Sequence, residues 1–127
     1  MKLAKALLLF NGLFYGIYGA MCFIDPNTVA NLVGFSLGHT AGPVEVMAMY
    51  GGLQLAVGIY LTVKAKDALS APHGLEVLAV LMGGLGIARL IGLTIFSPDS
   101  YNLTVGCYEV ACCLLAIYAR KRLLATQ

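Results

Sequence analysis

Four long apolar runs dominate this 127-residue chain and leave little choice of fold. They cover about residues 3–23, 44–63, 75–96 and 101–118. Each run holds roughly 18–22 residues, close to the ~20 that an α-helix needs to cross a hydrocarbon layer of ~30 Å. Backbone N–H and C=O groups in lipid must be paired within the segment, so runs of this length form helices. The sequence therefore predicts an all-α fold, a four-helix transmembrane bundle, as a single domain over residues 1–127.

The composition favours a membrane protein over a soluble globular domain and excludes a nucleic-acid-binding protein. Hydrophobic residues make up 60% of the chain and charged residues only 11%, where soluble domains carry about 25% charged residues. That is too little polar material to cover a soluble surface. The net charge is +2, which is too small for a protein that neutralises a phosphate backbone. We therefore expect membrane lipids, and no nucleic acid, among the partners.

The basic residues predict how the chain is oriented in the membrane. Seven of the eight flank the apolar runs on one side, and the eighth, Arg89, lies within the third run. The seven are Lys2, Lys5, Lys64, Lys66, Arg120, Lys121 and Arg122. Because short cytoplasmic segments are enriched in Lys and Arg, this side is predicted to be cytoplasmic. We expect both termini in the cytoplasm and a multi-pass protein of the cell inner membrane.

The loop after the first run contains signals for a short additional helix. Asp25 and Pro26 are typical of a helix start, with Asp as the cap and Pro at the first helical position. Val29, Leu32 and Val33 then follow at helical spacing. We predict a short helix over about residues 26–37 that lies in the outer interface with its apolar side toward the lipid. The alternative is an irregular loop.

Glycines are concentrated inside the runs, where small residues let membrane helices approach closely. Gly12 and Gly16 form one GxxxG pair in the first run. In a bundle of this size, such a pair is more typical of packing within the chain than of a dimer interface.

Arg89 and Glu109 are the charged residues whose position most needs an explanation, because charges at depth are costly to insert. Arg89 lies about seven residues before the outer end of the third run, and Glu109 about eight after the start of the fourth. At about 1.5 Å per residue, both lie roughly 10–12 Å below the outer boundary. A tight turn joins these helices, so we expect the two side chains to pair. The pair either fixes helix register or forms the charged floor of a polar pocket.

Three further polar residues are predicted at the same depth, which favours a pocket. Tyr15 lies eight residues before the outer end of the first helix, and Tyr50 lies seven residues into the second. Gln54 follows Tyr50 by four residues, on the same helical face. We predict a ligand-binding pocket bordered by Arg89, Glu109 and these three residues. Packing tyrosines with satisfied hydroxyl groups are the alternative for each ring.

Glu45 is a further candidate for this pocket, with a structural explanation beside it. If Pro43 takes the first helical position, Glu45 takes the third, where the helix dipole favours an acidic residue. Nine residues separate Glu45 from Gln54, which places them about 180° apart at 100° per residue. The two side chains are therefore not expected to face the centre of the bundle together.

The sequence offers no catalytic residues, no metal site and no cofactor site. Its two histidines, His39 and His73, fall in loops predicted on opposite sides of the membrane. That arrangement leaves no pair of axial haem ligands and no metal cluster. The sequence also contains no glycine-rich phosphate loop and no nucleophile elbow.

The second run carries the string Glu45-Val46-Met47-Ala48-Met49-Tyr50-Gly51-Gly52-Leu53-Gln54-Leu55, followed by Gly58. This string resembles a bacterial domain-of-unknown-function family of small four-helix membrane proteins. Other residues that fit the family are Pro26, the motif Gly86-x-x-Arg89-x-x-Gly92 and Glu109. The family is similar in layout to DoxX-like proteins. The resemblance implies a four-helix membrane fold over nearly the whole chain and no particular activity.

Three functional hypotheses follow from the sequence. The first is a non-catalytic protein that binds a lipid, a quinone-like molecule or another amphipathic molecule in an outward-opening polar pocket. The second is an accessory subunit of a larger membrane complex, with a membrane-protein partner or a second copy of the chain. The third is a carboxylate-dependent membrane enzyme or proton-coupled carrier that uses Glu109 and Arg89.

Overall fold

The structure, a computed structural model, describes residues 1–38 and 40–125, and all regular elements in these ranges are helical. The α-helices are α1 (Lys2–Ile24), α2 (Asn27–Val33), α3 (Ala41–Val46), α4 (Leu53–Lys64), α5 (Ala71–Ile95) and α6 (Ser100–Leu124), with a π-helical segment at Met47–Gly52. Helix α3, the π segment and α4 form one continuous helix, Ala41–Lys64. This helix, α1, α5 and α6 are long and apolar enough to cross a membrane. The predicted all-α class with four spanning helices is confirmed.

Large apolar side chains on these helices are exposed on the surface of the chain. Val80 of α5 is 71% exposed, and Ile17 of α1 and Leu114 of α6 are each 62% exposed. A soluble protein rarely presents apolar surface on this scale, whereas a hydrocarbon layer is a suitable solvent for it. The chain is therefore a multi-pass membrane protein.

The helices extend past the predicted ends where charged or capping residues follow the apolar runs. Helix α6 continues to Leu124, six residues beyond the predicted end at residue 118, because basic side chains in a last turn interact favourably with the helix dipole. Helix α5 begins at Ala71, four residues before the predicted start at residue 75. Pro72 is its second residue, a position where the missing N–H costs no helical hydrogen bond.

The short helix predicted in the loop after the first run exists and is shorter than expected. Helix α2 ends at Val33 because Gly34 takes a left-handed conformation with φ = 82°, which glycine adopts without steric cost. The expectation of a helix to residue 37 was wrong at this end. At its start, the Asp25 carboxylate accepts hydrogen bonds from the backbone N–H of Asn27, at 3.0 Å, and from its side-chain amide, at 2.9 Å.

The described chain forms two compact units, which we name the α1–α4 unit (Leu9–Val63) and the α5–α6 unit (Met1–Leu8 and the chain from Lys64 onward). In the α1–α4 unit, glycines allow close approach of helices. A Cβ atom built on Gly58 would lie 2.7 Å from the backbone oxygen of Gly12. One built on Gly19 would lie 2.9 Å from the backbone oxygen of Gly51. Gly12 therefore packs within the chain, as the sequence favours.

The π segment is a feature that the periodicity of the sequence does not predict. Leu53 donates its backbone N–H to the carbonyl of Ala48, five residues earlier. Such a turn is wider than an α-helical turn and rotates less per residue. The segment lies between Glu45 and Gln54, so the angle of about 180° expected between them, which assumes 100° per residue throughout, does not apply.

In the α5–α6 unit, α5 packs along α6 on a face that carries two glycines. A Cβ atom on Gly83 would lie 3.3 Å from the sulfur of Cys113, and one on Gly86 would lie 3.2 Å from Cγ2 of Val110. Close packing at Gly86 positions the next residue on that face, Arg89, three residues further along α5.

Candidate functional site

Arg89 and Glu109 form a bidentate ion pair between α5 and α6. The Arg89 Nε atom donates to Oε2 of Glu109 and the Nη2 atom donates to Oε1, both at 2.9 Å. The Glu109 side chain is 5% exposed and the Arg89 side chain 24% exposed. Paired, parallel hydrogen bonds of this kind are among the strong and geometrically specific interactions of proteins. The predicted contact between the two residues is confirmed.

A second contact holds the Arg89 guanidinium from the other side. Its Nη1 atom donates to the side-chain oxygen of Asn102 on the first turns of α6. Asn102 is in turn held by Asp99, which accepts from the Asn102 backbone N–H at 2.8 Å and from its side-chain amide at 2.6 Å. Asp99 is thus the N-cap of α6 and also the residue that orients Asn102. The hydrogen bond from the Asn102 amide lowers the pKa of Asp99 below its ordinary value.

Gly106 makes room for the Arg89 side chain on the surface of α6. A Cβ atom on Gly106 would lie 3.2 Å from Cδ of Arg89, so the aliphatic part of Arg89 crosses α6 where a side chain is missing. Asn102, Gly106 and Glu109 follow each other at spacings of four and three residues, which places them in one row along the helix. Arg89 therefore lies along a surface of α6 that fits its length and its charge.

Arg89 also lines a hollow at the end of α5 and the start of α6. The hollow has a volume of about 350 Å³. Its walls combine apolar side chains with the polar groups of the ion-pair network: Leu85, Ala88, Arg89, Gly92, Leu93, Phe96, Ser97, Asp99 and Asn102. We call it the Arg89 hollow.

The hydrogen bonds of Arg89 leave part of its binding capacity unused. A guanidinium has five N–H donors. Among the described residues, Arg89 uses three of them, two on Glu109 and one on Asn102. The two remaining donors can serve an oxygen atom of a molecule in the hollow, while both oxygens of Glu109 already accept from Arg89.

The other four predicted site residues belong to the α1–α4 unit. Tyr15 is 8% exposed and Tyr50 40% exposed, Gln54 is half-buried and Glu45 is exposed. Tyr50 and Glu45 line a second hollow of about 520 Å³ within this unit. The structure brings these two residues together, and it brings Arg89 and Glu109 together. A single pocket that contains all six residues stays a prediction.

The explanation of Glu45 as a first-turn acid was wrong. Helix α3 begins at Ala41, so Pro43 is its third residue and Glu45 its fifth. Proline is tolerated there because the first N–H groups of a helix have no partner within it. Glu45 lies beyond the first turn, where the helix dipole acts most strongly.

Asn102 and Asp99 are site residues that the sequence reasoning missed. A signal for Asn102 was present: it precedes Glu109 by seven residues, which is nearly two full helical turns and hence the same face. Asp99 lies in the tight turn between the third and fourth runs, and turn residues of this kind carry no sign of a role beyond the turn itself. Its second role depends on Asn102 and is visible only once that residue is placed.

Within the described residues, no group of three or more His, Cys, Asp or Glu side chains is arranged to hold a metal ion. The expectation of no metal site rests partly on His39, and that residue lies outside the described residues.

The fold and the site together define a class: a small, all-helical, multi-pass membrane protein with a buried Arg–Glu pair beside a hollow. Its family is shown by comparison of the sequence with family models. The chain belongs to the domain-of-unknown-function family DUF4345, whose model matches residues 3–120. No curated protein and no solved structure matches the chain. The similarity in layout to DoxX-like proteins stays a prediction.

Proposed function

We propose that this protein binds an amphipathic membrane molecule in the Arg89 hollow, with the polar head of that molecule at Arg89. The observation that carries the proposal is the state of the guanidinium: Glu109 and Asn102 fix it, yet two of its donors have no partner among the residues that the structure describes, and it lines an open hollow. A donor held in place before the ligand arrives loses little freedom on binding.

The walls of the hollow support a ligand with one polar and one apolar end. Leu85, Leu93 and Phe96 provide apolar surface, and Phe96 is 73% exposed. A few fixed polar groups in an otherwise apolar cleft are typical of sites for small molecules. An acyl or prenyl chain can lie against these side chains while the head reaches Arg89.

The charges around Arg89 favour a head that carries no net negative charge. One guanidinium stands beside two carboxylates, those of Glu109 and Asp99. An anionic head would be drawn to Arg89 and repelled by the Asp99 carboxylate in the same hollow. A neutral carbonyl or hydroxyl oxygen, or a zwitterionic head, avoids that repulsion and still accepts hydrogen bonds from Arg89.

A purely structural role explains less of the geometry. An ion pair that only fixes helix register gains nothing from an opening at its side, since a buried pair is most favourable when all its hydrogen-bonding groups are satisfied. The two guanidinium donors of Arg89 that bond neither Glu109 nor Asn102 are better explained as groups that bind a ligand.

The test is to fill the hollow without touching the ion pair. A Cβ atom on Gly92, which lines the hollow, meets no atom within 4 Å, and the same is true of Gly84 on the same helix, which does not line it. Gly92→Leu and Gly84→Leu make the same chemical change in α5, so effects on helix propensity cancel. Each variant and the parent protein are extracted in a mild detergent and measured by native mass spectrometry.

We expect the parent protein and Gly84→Leu to retain the same co-extracted molecule, and Gly92→Leu to retain about tenfold less, equivalent to about 1.4 kcal/mol. Equal retention in all three proteins contradicts the proposal. Obligatory co-purification of another protein chain, with no bound small molecule, would support the accessory-subunit hypothesis instead. We propose that this binding takes place in the cell inner membrane.

A further inference from the structure

The second hollow, in the α1–α4 unit, has a different chemical character from the Arg89 hollow. We call it the Glu45 hollow. Its volume is about 520 Å³, and no Lys or Arg is among its lining residues. The lining residues that matter for recognition are Phe35, Leu37, Gly42, Glu45, Met49 and Tyr50. It therefore combines one carboxylate with two aromatic rings, a thioether and aliphatic surface.

One wall of the Glu45 hollow is held in place by packing beneath it. Leu37 packs against a buried cluster formed by Cys22, Val29 and Val46. The backbone behind Leu37 is also fixed, because a Cβ atom on Gly42 would lie 2.8 Å from the Leu37 carbonyl oxygen. Leu37, in the non-helical segment after Gly34, thus contacts both the buried cluster and the start of α3.

Among the described residues, no side chain balances the charge of the Glu45 carboxylate. It is exposed, and it makes no hydrogen bond or ion pair with the described residues. It also lies outside the first turn of α3. Charged residues in membrane-spanning helices are costly and mark functional sites by default, so we expect a cation beside Glu45 that the described residues do not supply.

The aromatic residues indicate which kind of cation fits. Tyr50 lies in the π segment, a type of helical distortion that is frequent at functional sites. Tyr and Phe rings attract ammonium groups through their faces, and the attraction grows when water is excluded. Met49 adds a flexible and polarisable surface that adapts to irregular apolar groups. A small hydrated metal ion would gain nothing from the rings of Tyr50 and Phe35 or from the thioether of Met49.

We propose that the Glu45 hollow binds an organic cation with apolar substituents, with the positive charge between the Glu45 carboxylate and the rings of Tyr50 and Phe35. The charge sign separates this site from the Arg89 hollow, and the two hollows share no lining residue. The proposal therefore stands or falls independently of the proposed function.

The experiment uses two probes of nearly equal shape and opposite charge, tetraphenylphosphonium and tetraphenylborate. The full chain is placed in nanodiscs of zwitterionic lipid, and each probe is measured separately by equilibrium dialysis against empty nanodiscs. The variants are Glu45→Gln, which removes the charge, Glu45→Asp, which keeps it, and Tyr50→Leu. Glu76→Gln is the matched control, because Glu76 is an exposed carboxylate of α5 that lines none of the hollows described above.

We expect tetraphenylphosphonium to bind the parent protein and Glu76→Gln equally, and tetraphenylborate to bind neither above the level of empty nanodiscs. Glu45→Gln should weaken binding of the phosphonium by about fivefold, the upper end for an exposed ion pair. Tyr50→Leu should weaken it by about two- to fivefold, as for an exposed cation–π contact, and Glu45→Asp should retain most of the affinity. Equal binding of both probes, or unchanged phosphonium binding in Glu45→Gln, would overturn the proposal.

Discussion

Removing the charges of Arg89 and Glu109 one at a time and together measures how strongly the pair is coupled. The variants are Arg89→Leu, Glu109→Leu and the double variant, since leucine is close in size and suits a membrane helix. The free energy of unfolding is measured for all four proteins in mixed micelles, with helical circular dichroism as the signal.

The structure predicts unequal losses for the two single variants. In Arg89→Leu, a Glu109 carboxylate that is only 5% exposed loses both of its hydrogen bonds, and breaking a buried pair in this way costs about 3–5 kcal/mol. In Glu109→Leu, Arg89 keeps Asn102 and remains 24% exposed. Its loss is therefore nearer the ~1–3 kcal/mol of an incompletely satisfied buried group.

The double variant should lose clearly less than the sum of the two single losses, because neither charge is then left without its partner. We expect a coupling free energy of about 2 kcal/mol, within the range for residues that share a hydrogen-bond network. Losses that simply add would refute the conclusion that the bidentate contact is an energetic unit.

A second ion pair between the same two helices provides the control. Arg120 Nη2 lies 3.0 Å from Oε2 of Glu76, and the two side chains are 36% and 53% exposed. Exposed pairs contribute about 0–1 kcal/mol because water and salt screen them. The same cycle on Glu76 and Arg120 should therefore give a smaller coupling, although the two pairs have similar distances.

Two further predictions concern the orientation of the chain and the seat of Arg89. A reporter that is active only outside the cytoplasm should work when inserted between Asp25 and Pro43 and fail when fused to the C-terminus; activity at the C-terminus would overturn the predicted topology. Gly106→Leu should displace the Arg89 side chain, because a Cβ atom added at Gly106 would lie only 3.2 Å from Arg89 Cδ. It should lower the retention of the co-extracted molecule, whereas Gly84→Leu retains it at the parent level.

The contact between Arg89 and Glu109 could be predicted from the sequence because few alternatives were open to it. The short segment between α5 and α6 makes them antiparallel neighbours, and the fixed rise per residue puts both charges at one depth. Once a charge is placed in lipid, the opposite charge at that depth is its natural partner.

Other features depend on interactions that the hydropathy pattern does not contain. Helix α6 continues beyond its apolar run, through Arg120 and Lys121 to Leu124. Basic side chains in the last turn stabilise this extension through the helix dipole. The π segment at Met47–Gly52 changes the helical phase that places Glu45 relative to Gln54. Gly51, within this segment, also approaches Phe23 closely, since a Cβ atom on it would lie 2.8 Å from Cα of Phe23, and the hydropathy pattern contains no sign of that contact.

The central claim, that the Arg89 hollow holds the head of an amphipathic molecule, is tested most directly by an experimental structure of the protein in a lipid nanodisc with its co-extracted molecule. The account predicts elongated density along Leu93 and Phe96, with an oxygen atom of the head about 2.7–3.2 Å from an Nη atom of Arg89. A hollow without such density, with the remaining Arg89 donors bonded to other protein atoms, would contradict it.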